Sequence, residues 1–281
     1  MERVVTFAND AGQELHGVLR DHVDGLCNDV VVVCHGLLAH SDWRWIPTLT
    51  AQVCARLRCR AFRFDFTGCG RSAGTWQLCA YARQTDDLRA AVQYLRQQGL
   101  RVACIMGHSM GGNTALLYAA RFGDVPVIVN ISGRCDMQRG LFEKFSEAQL
   151  HDLHHTGSFY WRVKTRTYNV TQRSIDERLR LNMAEEAAKI PDTVRVLTVH
   201  GTDDDVVHIS DAHALSRCIA NHDLITIEGA DHVFSRGSDV AMMDAIVEWL
   251  KRRRWQSDEE ETQQVDEAAF RAAITASAPA Q

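Results

Sequence analysis

Residues 104–113 read CIMGHSMGGN and hold a serine between two glycines, Gly107-His108-Ser109-Met110-Gly111. A serine hydroxyl alone is a poor nucleophile; it needs a base to take its proton and a third group to orient that base. The G-x-S-x-G spacing is by itself a weak signal, since so short a pattern arises by chance. Here it follows an apolar run that reads as a strand and precedes one that reads as a helix. In that context a serine is held on a sharp, strained turn. The glycines on either side let strand and helix pass closely without Cβ clashes. The plainer alternative is a corner serine with no chemistry.

In this arrangement the partners follow in the order serine, acid, histidine. VHGTDDDVVHI ends a predicted strand on three aspartates, Asp203, Asp204 and Asp205, and IEGADHVF places His232 just past the last predicted strand. The carboxyl ends of strands in an open α/β sheet gather at one edge, so serine, acid and histidine meet that placement rule independently. CHGLLAH puts His35-Gly36 at the end of an early strand on the same edge. A developing oxyanion needs two backbone N–H donors. Met110, at the helix start, and Leu37, in the loop after His35-Gly36, are the candidates; the His35 side chain reads as a buried loop tie.

Two other patterns carry less. GCGRSAG has glycines at 68, 70 and 74, which is not the dinucleotide spacing, and reads as a turn beneath the site. HDLHH at 151–155 lacks a zinc-type ligand set and reads as polar surface. Neither a metal nor an organic cofactor is expected.

The elements that must position these residues alternate strand and helix, which predicts an α/β fold with a mostly parallel sheet and helices on both faces. VVTFAND and LHGVLR read as an opening hairpin and DVVVVCHG as a strand buried on both faces. A helix is expected over about 43–58, and another capped by Thr85, with Asp86 and Asp87 in its first turn and Gly99 past its end. RAFRFDF, RVACIM, VPVIVNIS, TVRVLTVHG and DLITIEGA read as further strands, with helices near 210–220 and 238–253. Between about 134 and 190 the pattern loosens into charge, histidine and aromatics, and predicts a helical cap over the sheet.

The chain has 281 residues, 46% of them hydrophobic, enough for one large core, with a tail at 255–281 whose acidic run and small-residue end do not demand a fold. A net charge of −5 without a basic stripe argues against nucleic acid. No apolar run suits a membrane span and no secretory leader is visible. The nine cysteines lack paired metal-type spacing, and Cys34 and Cys104 fall in predicted strands. Reduced, core-filling thiols of a cytoplasmic protein are the expectation.

The stretches HGLLAH, FDFTGCGRSAGTW, GHSMGGNTALLYAA, VHGTDDDVVH and GADHVF together resemble the α/β-hydrolase fold, in its esterase and serine-aminopeptidase-like branch. The likeness is to intracellular esterase-like hydrolases and, more distantly, to cinnamoyl and feruloyl esterases. It spans about residues 30–235 and implies one hydrolase domain over 1–254. It carries the nucleophile onto Ser109, the base onto His232 and, through His-Gly-x-x-Asp-x-x-Val, the acid onto Asp204. Relatives often have proline after that valine, where this chain has His208. Dehalogenases and epoxide hydrolases of the wider family carry aspartate at the elbow, where this chain has Ser109. The resemblance implies hydrolysis of a small-molecule carboxylic ester. An amide, thioester or lipid substrate, or a non-catalytic binding scaffold, stands as the alternative. Among the cap aromatics, the run Phe159-Tyr160-Trp161 is expected to supply a wall for the acyl chain, since three large rings in a row cannot all point into one core.

Overall fold

The computed structural model describes residues 1–22 and 27–252. The tail at 255–281 lies outside the described residues.

Eight strands form one sheet: β1 (Glu2–Ala8), β2 (Glu14–Arg20), β3 (Asp29–Cys34), β4 (Arg60–Phe64), β5 (Arg101–His108), β6 (Val127–Ile131), then β9 (Arg195–Gly201) and β10 (His222–Ile227). The two strands between belong to a separate hairpin, β7 (Ser158–Val163) and β8 (Arg166–Thr171). The sheet order is β1-β2-β4-β3-β5-β6-β9-β10. Only β2 runs against its neighbours; from β4 to β10 every pairing is parallel. The opening hairpin read from the sequence is therefore β1–β2.

Side-chain alternation splits the core into two layers. On β3, Val30, Val32 and Cys34 face one layer, while Val31 and Val33 face the other. The first layer is covered by α2 (Tyr81–Gln97) and α3 (Met110–Phe122), the second by α1 (Ile46–Leu57) and a last helix, α8, over 238–252. Both faces are buried, which is why these strands are continuous β-branched runs. Cys34 and Cys104 are buried within β3 and β5. Among the described residues no helix is long and apolar enough to cross a membrane.

Helix α2 starts at Tyr81, so Thr85 is not its cap: the Thr85 hydroxyl donates back to the Tyr81 carbonyl at 2.9 Å. Asp87 is not a first-turn acid either. It is fully buried and accepts from the Thr67 backbone N–H, the Thr67 hydroxyl and the Asn9 amide. These partners, distant in sequence, overrode the local capping signal. Gly99 does follow the helix in the left-handed region, at φ +76°.

Between β6 and β9 the chain forms α4 (Glu147–Thr156), the β7–β8 hairpin, α5 (Gln172–Arg180) and α6 (Met183–Ala187). This segment is thus helical with a two-stranded ribbon inside it, a correction to the purely helical expectation. Ser146 and Gln149 close a reciprocal capping box on α4. Beyond β9 runs α7 (Ile209–Cys218), whose cap is His208: its Nδ1 accepts the Ser210 N–H, doing the work of a turn former.

Candidate active site

Ser109 sits between the end of β5 and the first turn of α3 with φ +54° and ψ −117°, a conformation costly for any residue with a Cβ. Its N–H donates to the Ile131 carbonyl at 2.7 Å, which pins the turn to β6. The flanking glycines are required by close approach. A Cβ on Gly107 would lie 2.1 Å from the Gly111 carbonyl oxygen, and one on Gly111 would lie 2.5 Å from that of His35. The G-x-S-x-G spacing is thus a packing requirement that lifts the hydroxyl above the sheet edge.

His232 follows β10 in the loop before α8. Its Nε2 lies 3.0 Å from Ser109 Oγ, and its Nδ1 lies 2.7 Å from Asp204 Oδ2. The ionised carboxylate can only accept, so Nδ1 carries the proton and Nε2 accepts from the serine hydroxyl. Asp204, in the loop after β9, is buried, whereas Asp203 and Asp205 are exposed. Its Oδ1 accepts the N–H groups of Val206 and Val207 at 2.9 and 2.7 Å. Burial raises its pKa, but hydrogen bonds from His200 and His232 and the Val207 N–H outweigh that and hold the carboxyl well below the usual carboxylate range. It is an anion at any ordinary working pH.

Two histidines that sequence reasoning did not single out buttress this line. His200 Nε2 lies 2.7 Å from the Val207 carbonyl and 3.3 Å from Asp204 Oδ2, the same oxygen that faces His232. His108, the variable residue inside the serine motif, has Nε2 2.8 Å from the His232 carbonyl oxygen, so its N–H donates to the loop that carries His232. Burial, then the neighbouring His232, lowers the His108 pKa to about 3, so the ring stays neutral beside His232. Trp43 stacks on His108 at 5.8 Å and Trp45 meets it edge-on at 5.3 Å. Both histidines lie within sequence motifs, yet only the folded chain shows what they touch.

Leu37 and Met110 both line a cavity of about 200 Å³ together with Ser109 and His232. Met110 opens α3, where the first N–H groups have no intrahelical partner. Leu37 lies in the loop after β3, next to Leu38 at φ +59°. The His35 ring is fully buried: its Nδ1 lies 2.8 Å from the Gly36 carbonyl, and its Nε2 accepts the Phe66 N–H at 3.2 Å. Beneath this loop, Asp65 accepts from the N–H groups of Ser41 and Arg71, tying the glycine stretch after β4 to the loop after β3.

The cap aromatics stand apart. None of Phe159, Tyr160 and Trp161 lines the Ser109 cavity, which corrects the expectation that this run walls it. They lie on β7, where successive side chains alternate sides. Phe159 is buried edge-on against Phe145 at 4.9 Å, Trp161 meets the same ring at 5.4 Å, and Tyr160 points outward with 74% exposure. The strand period, absent from the helical expectation, resolves the crowding of three consecutive rings. Among the described residues no group of three or more histidine, cysteine or acidic side chains is placed to hold a metal ion; His151 and His155 of α4 stack on each other at its surface.

No curated protein gives a significant sequence match to this chain. Solved structures are similar in fold. The esterase domain of a Rhodothermus marinus protein shares 23% identity at a TM-score of 0.69, covering 90% of this chain and 98% of its own. Est1E from Butyrivibrio proteoclasticus, solved with ferulic acid bound, shares 20% identity at a TM-score of 0.74, covering 88% and 98%. Alpha/beta hydrolase domain-containing protein 10 from mouse shares 16% at 0.69, covering 89% and 99%. At these identities the likeness speaks for the fold alone. The profile of the alpha/beta hydrolase family matches residues 30–248, most of the chain. With that match, the mostly parallel eight-stranded sheet and the strand–turn–helix at Ser109, the chain belongs to the alpha/beta hydrolase family.

Proposed function

We propose that this protein is a serine hydrolase that cleaves a carboxylic ester through an acyl-enzyme. The observation that carries the reading is the unbroken hydrogen-bond line Ser109–His232–Asp204 at 3.0 and 2.7 Å, opening into a cavity at the sheet edge. Family membership supports hydrolysis in general, and neighbours described as esterases support the ester.

His232 Nε2 takes the proton from Ser109 Oγ as the oxygen attacks the ester carbonyl. Asp204 holds the imidazole in the required tautomer and stabilises the imidazolium. The backbone N–H groups of Leu37 and Met110 receive the oxyanion. The imidazolium returns its proton to the leaving alkoxide, which departs as the alcohol. His232 then deprotonates a water that attacks the acyl-enzyme, releasing the acid and restoring Ser109. Each step uses only side chains, backbone N–H groups and water. A cytoplasmic setting belongs to the same reading, with Cys34 and Cys104 packed as buried core residues.

The test is turnover of matched p-nitrophenyl ester, anilide and thioester substrates bearing one short acyl group. Saturable turnover is expected with the ester, at a kcat/KM well above that of the anilide. Thioester turnover far above the ester would move the assignment to a thioesterase, and turnover of none of the three would contradict a hydrolase of this kind.

A further inference from the structure

Three cationic side chains line the same cavity as Ser109: Arg134, just past β6; Lys144, in the loop before α4; and Arg178, on α5. Arg134 and Arg178 are only 7% and 3% exposed. A buried charge is costly unless it is paired. Yet among the described residues none of the three forms an ion pair with a carboxylate. Arg134 donates to the carbonyls of Arg139 and Val206 at 2.7 and 2.5 Å. Arg178 donates to those of Met137 and Arg139 at 2.7 and 2.8 Å, and to Cys79 Sγ at 3.8 Å. Each guanidinium has five N–H groups, so donors remain on both. Lys144 Nζ stands 6.0 Å from the centre of the Phe145 ring and clamps no carbonyl.

The nearby acids are engaged elsewhere. Asp211 accepts the N–H groups of Cys135 and Asp136 and pairs with Arg139. Glu143 is exposed and accepts from Gly140. Burial first, then the repulsion of Arg178, lowers the pKa of both Arg134 and Lys144, against the weaker pull of Asp211 on the one and Glu143 on the other. The cluster stands out in a chain whose net charge is −5. Asn113 exchanges two hydrogen bonds with the Arg134 backbone, at 2.6 and 3.0 Å, so the position of Arg134 is fixed from α3.

We infer that the cavity takes an ester bearing a second, anionic oxyanion group, a carboxylate or a phosphate, held by Arg134, Lys144 and Arg178 while Ser109 attacks the ester carbonyl. This rests on the ester-hydrolase reading for the attack, not for the anion site. Guanidinium forks match the planar oxygens of such groups, and the ammonium adds a point charge. A cavity of about 200 Å³ limits the substrate to a short chain between the ester and the anion.

The experiment compares kcat/KM for p-nitrophenyl hydrogen glutarate, p-nitrophenyl O-phosphoglycolate and uncharged p-nitrophenyl pentanoate. Alongside, glutarate and inorganic phosphate are titrated calorimetrically against the full chain. At least one charged ester is expected to exceed the pentanoate by tenfold or more, and the charged ester that does so identifies carboxylate or phosphate. In Lys144→Met that preference should fall by about 10- to 100-fold, the range for a lost hydrogen bond to a charged group, and the matching anion should bind more weakly. Arg178→Lys should retain part of the preference that Arg178→Met loses, whereas a purely structural arginine would leave the charged-to-neutral ratio unchanged. A neutral ester turned over as well as both charged ones, or a preference unmoved in Lys144→Met, would overturn the anion site while leaving the hydrolase reading standing. If no ester is turned over, the hydrolase reading falls and the titrations decide the anion site: weakened binding in Lys144→Met supports it, and no binding of either anion overturns it.

Discussion

Ser109→Ala is expected to lower kcat for an activated ester by roughly 10⁴ to 10⁶. The residue loses only Oγ, the atom placed 3.0 Å from His232 Nε2. Alanine keeps the Cβ, so the strain of the φ +54° turn is the same in both chains and folding is not the variable. Ser109→Gly provides the complement. It removes the same hydroxyl but relieves the left-handed strain, and should stabilise the fold by about 1 kcal/mol, measured by chemical denaturation. Loss of activity together with gain of stability at one position is the signature of a functional strain. Full activity in Ser109→Ala, assayed with the same ester, would remove Ser109 from the chemistry.

Asp204→Asn should cost on the order of 10⁴ in kcat, and the local hydrogen bonds explain why. Oδ1 accepts two backbone N–H groups, from Val206 and Val207. An asparagine must keep its carbonyl oxygen there, because an NH₂ would face two donors. Its NH₂ is then forced toward His232 Nδ1, where it can only donate. That selects the tautomer with the proton on Nε2, which donates to Ser109 instead of accepting from it. Asp203→Asn and Asp205→Asn should stay close to wild type, since both side chains are exposed. Steady-state kinetics on the three variants decides the matter, and a severe loss at Asp205 rather than Asp204 would shift the acid by one residue.

The sheet was largely legible because its parallel strands are buried on both faces and read as unbroken apolar runs; the run DVVVVCHG holds β3, which ends at Cys34, two residues earlier. That Ser109, Met110, His232 and Leu37 share one cavity was legible because strand ends collect at one edge, a rule of topology rather than of contacts. Choosing Asp204 among three aspartates needed the spacing of a resemblance. The structure distinguishes it by burial and by its line to His232. What escaped depended on tertiary partners. The start of α2 was displaced because Asp87 serves Thr67 and Asn9 rather than the helix end. The β7–β8 ribbon escaped because its pattern follows the cap surface, with Tyr160 out and Phe159 in. Arg134, Lys144 and Arg178 lie far apart in a charge-rich stretch, and nothing in their spacing shows that they share one cavity with Ser109.

The central claim is that Ser109 is the nucleophile, activated by His232. It is tested most directly by treating the full chain with a fluorophosphonate and mapping the adduct by peptide mass spectrometry. The expected result is one phosphonyl group per chain, on Ser109, its formation slowed strongly in Asp204→Asn and abolished in Ser109→Ala. An adduct on another residue, or an unmodified chain that still turns over ester, would contradict the account.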